Sequence, residues 1–213
     1  LGTASRAVSS RGGALPVLTG IHLSARDDVL TITGSDLEIT VRASVSVAVT
    51  EPGEAVLPSR LAVDIVRSLD SGAVEVEVSG EEAKIVGGRS QFSVRTLPVD
   101  DFPILAEPSG DEVTVATADL ASGLKQVVRA ASGDDARPIL TGVLMSAEDG
   151  GLRLVATDSY RLAVRDLPDA IVLSEGQKVL VPSRALEELS RVLGESEEVT
   201  VRLGEKEVTF DVA

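Results

Sequence analysis

The strongest constraint on this chain is that its sequence runs through the same pattern twice. Pro16-Val17-Leu18-Thr19-Gly20 returns as Pro138-Ile139-Leu140-Thr141-Gly142, 122 residues further on. At the same spacing Ala25 meets Ala147, Leu30 meets Leu152 and Asp36 meets Asp158. A second block, Leu57-Pro58-Ser59-Arg60, returns as Val181-Pro182-Ser183-Arg184 at a spacing of 124, and Arg67 and Gly80 then meet Arg191 and Gly204. Solenoid repeats have periods of roughly 20–50 residues. A period this long means duplicated domains, and 213 residues leave room for two small ones.

Each copy predicts the same elements. In copy two a helix runs from Asp119 to about Ala131, capped by Thr117 or Asp119, with Leu120, Leu124, Val127, Val128 and Ala131 on its apolar face. In copy one Leu37, Ile39, Val41, Ala43, Val45, Val47 and Val49 alternate with polar residues, the signature of a half-buried strand, and Glu51-Pro52-Gly53 turns the chain after it. Second helices are expected over Ser59–Leu69 and Ser183–Leu193, each opened by Pro-Ser. Short strands follow, carrying Val74, Val76 and Val78 in one copy and Val199, Val201 and Leu203 in the other. The unit reads β-α-β-β-β, twice per domain. Domain one is expected over residues 1–97, a Pro- and Asp-rich linker over 98–111, and domain two over 112–213. Val113-Thr114-Val115 opens copy two without a counterpart in copy one. Gln91 to Leu97 closes copy one without a counterpart in copy two. The expectation is a fragment lacking an opening strand in its first domain and a closing strand in its second.

Aromatic residues are only 2% of a chain that is 43% apolar, so the cores must be aliphatic. There is no cysteine, which excludes disulfides and thiolate metal sites. His22 is the only histidine, which argues against a histidine-rich metal site or a Ser-His-Asp triad. The formal charge of −14 argues against nucleic acid if only the sum counts, because phosphate binding rests on Lys and Arg. Distribution matters more than the sum. Arg60 and Arg67 are seven apart and share a helix face, and Arg184 and Arg191 repeat that spacing. Lys125 and Arg129 are four apart, while carboxylates crowd the turns, as in Arg26-Asp27-Asp28, Gly80-Glu81-Glu82 and Glu195 to Glu198. Solvated helix faces commonly carry such charges, so spacing alone leaves an ordinary surface and a nucleic-acid face both open. The pairs Asp27-Asp28, Asp100-Asp101 and Asp134-Asp135 are weak metal candidates in turn-like stretches. Gly87-Gly88-Arg89 and Arg11-Gly12-Gly13 lack the phosphate-loop pattern.

Arg137 to Gly142, followed by Leu154-Val155-Ala156-Thr157-Asp158-Ser159-Tyr160-Arg161-Leu162-Ala163-Val164, resembles the middle domain of the bacterial DNA polymerase III β subunit family, the sliding clamps. Copy one resembles that family's N-terminal domain through Gly34-Ser35-Asp36-Leu37-Glu38, Val56 to Arg60 and Gly88-Arg89-Ser90-Gln91-Phe92-Ser93. Thr96 to Pro103 is similar to its interdomain passage, so the resemblance covers essentially the whole chain.

The resemblance implies an α+β fold: tandem DNA-clamp (processivity fold) domains, each with two helices backed by antiparallel sheets. It implies a protein without catalysis, cofactor or metal. Three such domains would form a protomer, and two protomers would close head to tail into a ring around duplex DNA in the bacterial cytoplasm. That ring tethers the replicative polymerase. The DNA-facing residues it implies are Arg11, Arg60, Arg67, Arg184 and Arg191, with Lys125 and Arg129 added from helix-face reasoning. The DNA contact would be sequence-independent, phosphates being met without reading bases. The resemblance also implies a groove for the peptide of clients such as the polymerase III α subunit, the clamp loader and other clamp-binding-motif proteins. Its residues here would be Arg137, Leu140, Thr157, Ser159, Tyr160, Arg161 and Leu162. Phe92 and Val94 would lie at the ring contact. The third domain that completes groove and ring is outside this sequence. The competing reading is an acidic tandem-domain scaffold that binds proteins and never meets DNA.

Overall fold

The computed structural model describes residues 1–8, 15–103, 105, 111–148, 151–167, 178–194, 196–204 and 207–212. The chain divides into two compact units, Leu1–Leu105 and Ala106–Ala213.

Unit 1 runs β1 (Gly20–Arg26), β2 (Val29–Ser35), β3 (Thr40–Ser46), β4 (Gly53–Pro58), α1 (Ser59–Ser68), β5 (Val74–Ser79), β6 (Glu82–Gly87) and β7 (Ser90–Arg95). Its strands form two antiparallel sheets, ordered β3-β2-β1-β4 and β5-β6-β7. Ile21, Leu57, Ala62, Ile85 and Val94 meet in the core between them. Burying each large aliphatic side chain contributes on the order of 1.5–3 kcal/mol. The β1–β2 hairpin turns on Asp27 and Asp28, both left-handed at φ 52° and 59°. A two-residue hairpin of this type needs positive φ at both positions. Asp28 also receives the Val47 and Val49 amides, on its carbonyl and its Oδ1. This acidic pair therefore has a structural task.

Two expectations for unit 1 need correction. The long alternating strand is shorter than its pattern, because β3 begins only at Thr40. Asp36 Oδ1 accepts the amides of Glu38 and Ile39, and Leu37 goes left-handed at φ 75°, which closes a turn where alternation suggests strand. The first-helix position holds only a single 3-10 turn, Ala4–Ala7, among the described residues. That turn packs on β2 through Gly34, where a Cβ would come 2.0 Å from the Ala4 carbonyl oxygen. Beyond β7, Leu97 bridges to Val56, Val99 and Phe102 pack against Val17, Leu18 and Val56, and Phe102 stacks on His22. The first part of the expected linker thus packs on this unit.

Unit 2 runs β8 (Asp111–Ala116), α2 (Thr117–Val127), β9 (Gly142–Glu148), β10 (Gly151–Thr157), β11 (Leu162–Leu167), β12 (Lys178–Pro182), α3 (Ser183–Val192), β13 (Glu198–Leu203) and β14 (Val208–Val212). Its sheets are β11-β10-β9-β12 and β14-β13-β8. Leu120, Leu124, Met145, Leu154, Leu186 and Val199 fill the core between sheets and helices. Two halves trade strands: β12 opens the second half but pairs with β9, and β8 opens the first half but pairs with β13. This exchange ties the halves into one core. The helix starts differ in detail from expectation. Ala116 precedes α2 without a side-chain cap, and Thr117 is already its first residue with Oγ1 buried. β8 runs directly into the helix, and the Thr117 amide is taken by the Glu197 carbonyl. In α1 and α3 the proline occupies the residue before the first helical serine. After α2, Val128–Ala130 tighten into a 3-10 turn that carries Arg129.

The valines of β5 show what an added strand does. In unit 2, β8 pairs with β13, and Val199 and Val201 are sealed. In unit 1 Val74, Val76 and Val78 are each more than 40% exposed.

Candidate functional site

α1 and α3 present the same charged stripe. On α1, Ala62, Val63 and Ile65 face the core, and Arg60, Asp64 and Arg67 lie together on the opposite face. On α3, Leu186 and Leu189 face the core, and Arg184, Glu188 and Arg191 repeat the arrangement. All four arginines are exposed, Arg60 almost completely at 96% of its side chain. Helix spacing pairs Glu187 with Arg191 and leaves Asp64 unnamed, whereas the structure sets acids against arginines on both stripes. Arg60 Nε lies 4.0 Å from Asp64 Oδ2, and Arg191 pairs with Glu188. The α1 stripe therefore carries two cations and one anion, and on α3 exposed Glu187 stands on the same side as a second anion. Lys125 and Arg129 are also exposed, at the last turn of α2 and just beyond it. Arg11 lies outside the described residues.

The second cluster forms where two loops of unit 2 meet. The 3-10 turn Pro138–Leu140 is entered through Arg137, and the other loop joins β10 to β11. In the second loop Thr157 Oγ1 accepts the Ser159 amide at 3.1 Å and donates to the Arg161 carbonyl at 2.7 Å. Asp158 Oδ1 accepts the amides of Tyr160 and Arg161, both at 3.0 Å. Ser159 is left-handed at φ 78°, which these bonds hold in place. Arg161 Nε donates to Asp158 Oδ2 at 3.0 Å, and its Nη2 reaches the Arg129 carbonyl at 2.5 Å. Arg137 Nε donates to Asp134 Oδ2 at 3.0 Å, and its Nη1 reaches Ser159 Oγ at 3.3 Å, so it spans the two loops. Arg137, Thr157, Ser159 and Arg161 are thus brought into one hydrogen-bonded group.

Apolar groups stand beside it. Tyr160 is 94% exposed and Leu162 66%, Ile139 and Val164 are also exposed, and Leu140 is half-buried. Leu162 opens edge strand β11 with its side chain in solvent, which removes plain core packing as its explanation. Two arginines beside exposed aliphatic and aromatic groups suit an extended segment with apolar anchors and an anionic group. The carboxyls of Asp158 and Asp134 are held below the usual aspartate range, chiefly by the backbone amides they accept and then by their arginines. Both orienting aspartates were missed as site residues. The sequence showed Asp158 only as the counterpart of Asp36 and as part of the run that carries the family resemblance, and Asp134 only as half of an acidic pair.

Phe92 and Val94 are placed differently from the rest. Val94 is 2% exposed and belongs to the core of unit 1, and Phe92 packs partly against that core. What β7 offers outward is its backbone, as an outer strand of its sheet among the described residues.

The family described as DNA polymerase III beta subunit, N-terminal domain, matches residues 1–106, and the central domain of that subunit matches residues 114–213. The beta sliding clamp of Bacillus subtilis strain 168 is 35% identical over 216 residues, covering 96% of this chain and 57% of the relative. The beta sliding clamp of Streptomyces coelicolor is 34% identical, covering 94% of this chain and 53% of the relative. Crystal structures of the Pseudomonas aeruginosa DNA polymerase III subunit beta and of the B. subtilis sliding clamp each superpose with a TM-score of 0.91 at 32% identity. They cover 98% and 99% of this chain, and it covers 58% of each of them. The chain spans a little over half the length of the relatives it matches.

Proposed function

Because this chain belongs to the DNA polymerase III beta subunit family, we propose that its two units are clamp domains of a ring that encloses duplex DNA and tethers partner proteins to it. The family is non-catalytic, so the reading calls for surfaces and no reacting group. The ring is a head-to-tail homodimer of protomers with the relatives' full length. The clients are the replicative polymerase and its loader, and the setting is bacterial chromosome replication. Arg60, Arg67, Arg184 and Arg191, supplemented by Lys125 and Arg129, meet phosphates and not base edges, which suits sliding. The cluster of Arg137, Leu140, Thr157, Ser159, Tyr160, Arg161 and Leu162 takes the client peptide. At the ring contact the edge of β7 acts through its backbone, with Phe92 and Val94 supporting it from the core side.

The observation that carries this reading is the repeated stripe. Two helices in two units expose arginines at the same seven-residue spacing, with the core on the opposite side. A net charge of −14 for the whole chain is compatible with that, because a ring needs cations only where it meets DNA. The test is charge reversal of all four stripe arginines to glutamate, followed by binding to a short duplex over a range of salt. Loss of binding together with a flatter salt dependence is expected. Binding indifferent to both changes would leave the acidic protein-binding scaffold as the better reading.

A further inference from the structure

The Asp158 turn occurs twice in this chain, and the two copies separate what the turn requires from what it carries. In unit 1 Ser35 Oγ accepts the Leu37 amide, and Asp36 Oδ1 accepts the amides of Glu38 and Ile39. In unit 2 Thr157 and Asp158 make the same three bonds to Ser159, Tyr160 and Arg161. The left-handed residue is also shared, Leu37 at φ 75° and Ser159 at φ 78°. One carboxylate oxygen is therefore enough to build the turn. The residue it delivers differs: Ile39 is buried at 7% exposure, whereas Arg161 is exposed. Leu15 likewise stands where unit 2 has Arg137. The two arginines belong to unit 2 alone, and there the second oxygen of the turn aspartate accepts from the Arg161 guanidinium.

We propose that Asp158 is a positioning residue for partner binding: through Oδ2 it presets the Arg161 guanidinium beside Tyr160 and Leu162 to receive an anionic group of an incoming apolar peptide. This rests on the groove reading given above. A free arginine loses rotamer freedom when it docks on a ligand, and one already held in its bound pose does not. Arg161 is held at two points, by Asp158 and by the Arg129 carbonyl. Only two of its N–H donors are used by these bonds, and its side chain stays 63% exposed, so donors remain for a carboxylate. Asp134 does the same for Arg137 through one oxygen. The opposite outcome is physically possible, because the negative charge of Asp158 also competes for Arg161. The sign of the effect therefore decides.

The substitution Asp158→Asn keeps Oδ1 for the two backbone amides and removes the anionic Oδ2. The 213-residue chain would be titrated by fluorescence anisotropy with a labelled synthetic peptide bearing two leucines and one aspartate. Hydrogen exchange at the arginine Nε–H groups would be followed by NMR. The wild type is expected to show a protected Arg161 Nε–H. D158N should lose that protection, weaken the peptide roughly fivefold, as expected for losing one exposed ion pair, and keep the turn, with the Tyr160 and Arg161 amides still protected from exchange. In an Arg161→Ala background the same substitution should leave peptide affinity unchanged. Affinity that is unchanged or tighter in D158N overturns the proposal, as does a wild-type Arg161 Nε–H that exchanges like a free arginine. A full effect that persists without Arg161 would show that Asp158 acts through the turn alone. If the wild type binds no peptide, the reading of this cluster as a peptide site in its own right falls and takes this role with it, whereas binding that ignores D158N refutes only the positioning.

Discussion

Neutralising the acid in each arginine stripe should strengthen DNA binding. The perturbation is Asp64→Asn together with Glu188→Gln. Asp64 Oδ2 lies 4.0 Å from Arg60 Nε on the exposed face of α1, and Glu188 pairs with Arg191 on α3. A guanidinium that already holds a carboxylate gains less from a phosphate. Each phosphate fully neutralised adds about 0.9 to the slope of log affinity against log salt, which is roughly eightfold in affinity at 0.1 M salt. The gain here is smaller, because exposed ion pairs are worth only ~0–1 kcal/mol, fivefold at most. We expect about threefold per site, about tenfold for the pair, and a slope steeper by about 1. The assay is fluorescence anisotropy of a short labelled duplex at several salt concentrations. Glu75→Gln with Glu77→Gln on exposed β5 makes the same change in net charge away from the stripes. If that control matches the gain of the stripe variant, the effect is bulk charge and the reasoning fails. Unchanged affinity and slope in the stripe variant would refute it outright.

Three further outcomes follow from the packing and the charges. Leu154→Ala removes a fully buried side chain from the centre of unit 2 and should cost ~2–5 kcal/mol in urea denaturation, with the loss confined to that unit. Gly34→Ala drives a Cβ to 2.0 Å from the Ala4 carbonyl oxygen, so the turn Ala4–Ala7 should detach and its amides lose exchange protection, at a cost of ~1–3 kcal/mol. Asp134, Asp158 and Asp166 all have carboxyls depressed in the folded chain, the first two by backbone amides foremost and Asp166 by Arg153 foremost. Depressed folded values mean that their contribution is complete above the ordinary aspartate pKa and is lost as pH falls through the folded values. A triple Asn variant should therefore show a flatter decline of the urea midpoint below about pH 4 than the wild type, as the ordinary aspartate pKa requires.

Much of the chain was legible before any coordinates. The duplication, the positions of α1 and α3 to within a residue, and the arginines at Arg60, Arg67, Arg184 and Arg191 all follow from spacing, because helix faces repeat locally and a duplicated domain repeats them again. Alternation over Leu37 to Val49 misled because a two-residue period cannot see a side chain capturing backbone amides, as Asp36 does. The same blindness hid Asp158 and Asp134, whose importance lies in what they hold across a turn or between loops. Val94 shows the converse: its burial comes from the β6–β7 pairing and the core beneath, which no local pattern states.

The sequence by itself determined that there are two copies of one α+β unit, where α1 and α3 lie and which cations share a face. Those are properties of neighbours along the chain. Only the tertiary structure decided that β8 and β12 trade places between the halves of unit 2, and that two loops bring Arg137 and Arg161 together beside exposed Leu162. Strand partners and ion pairs between loops are chosen by the closing of a common core, and that choice depends on residues distant in the chain.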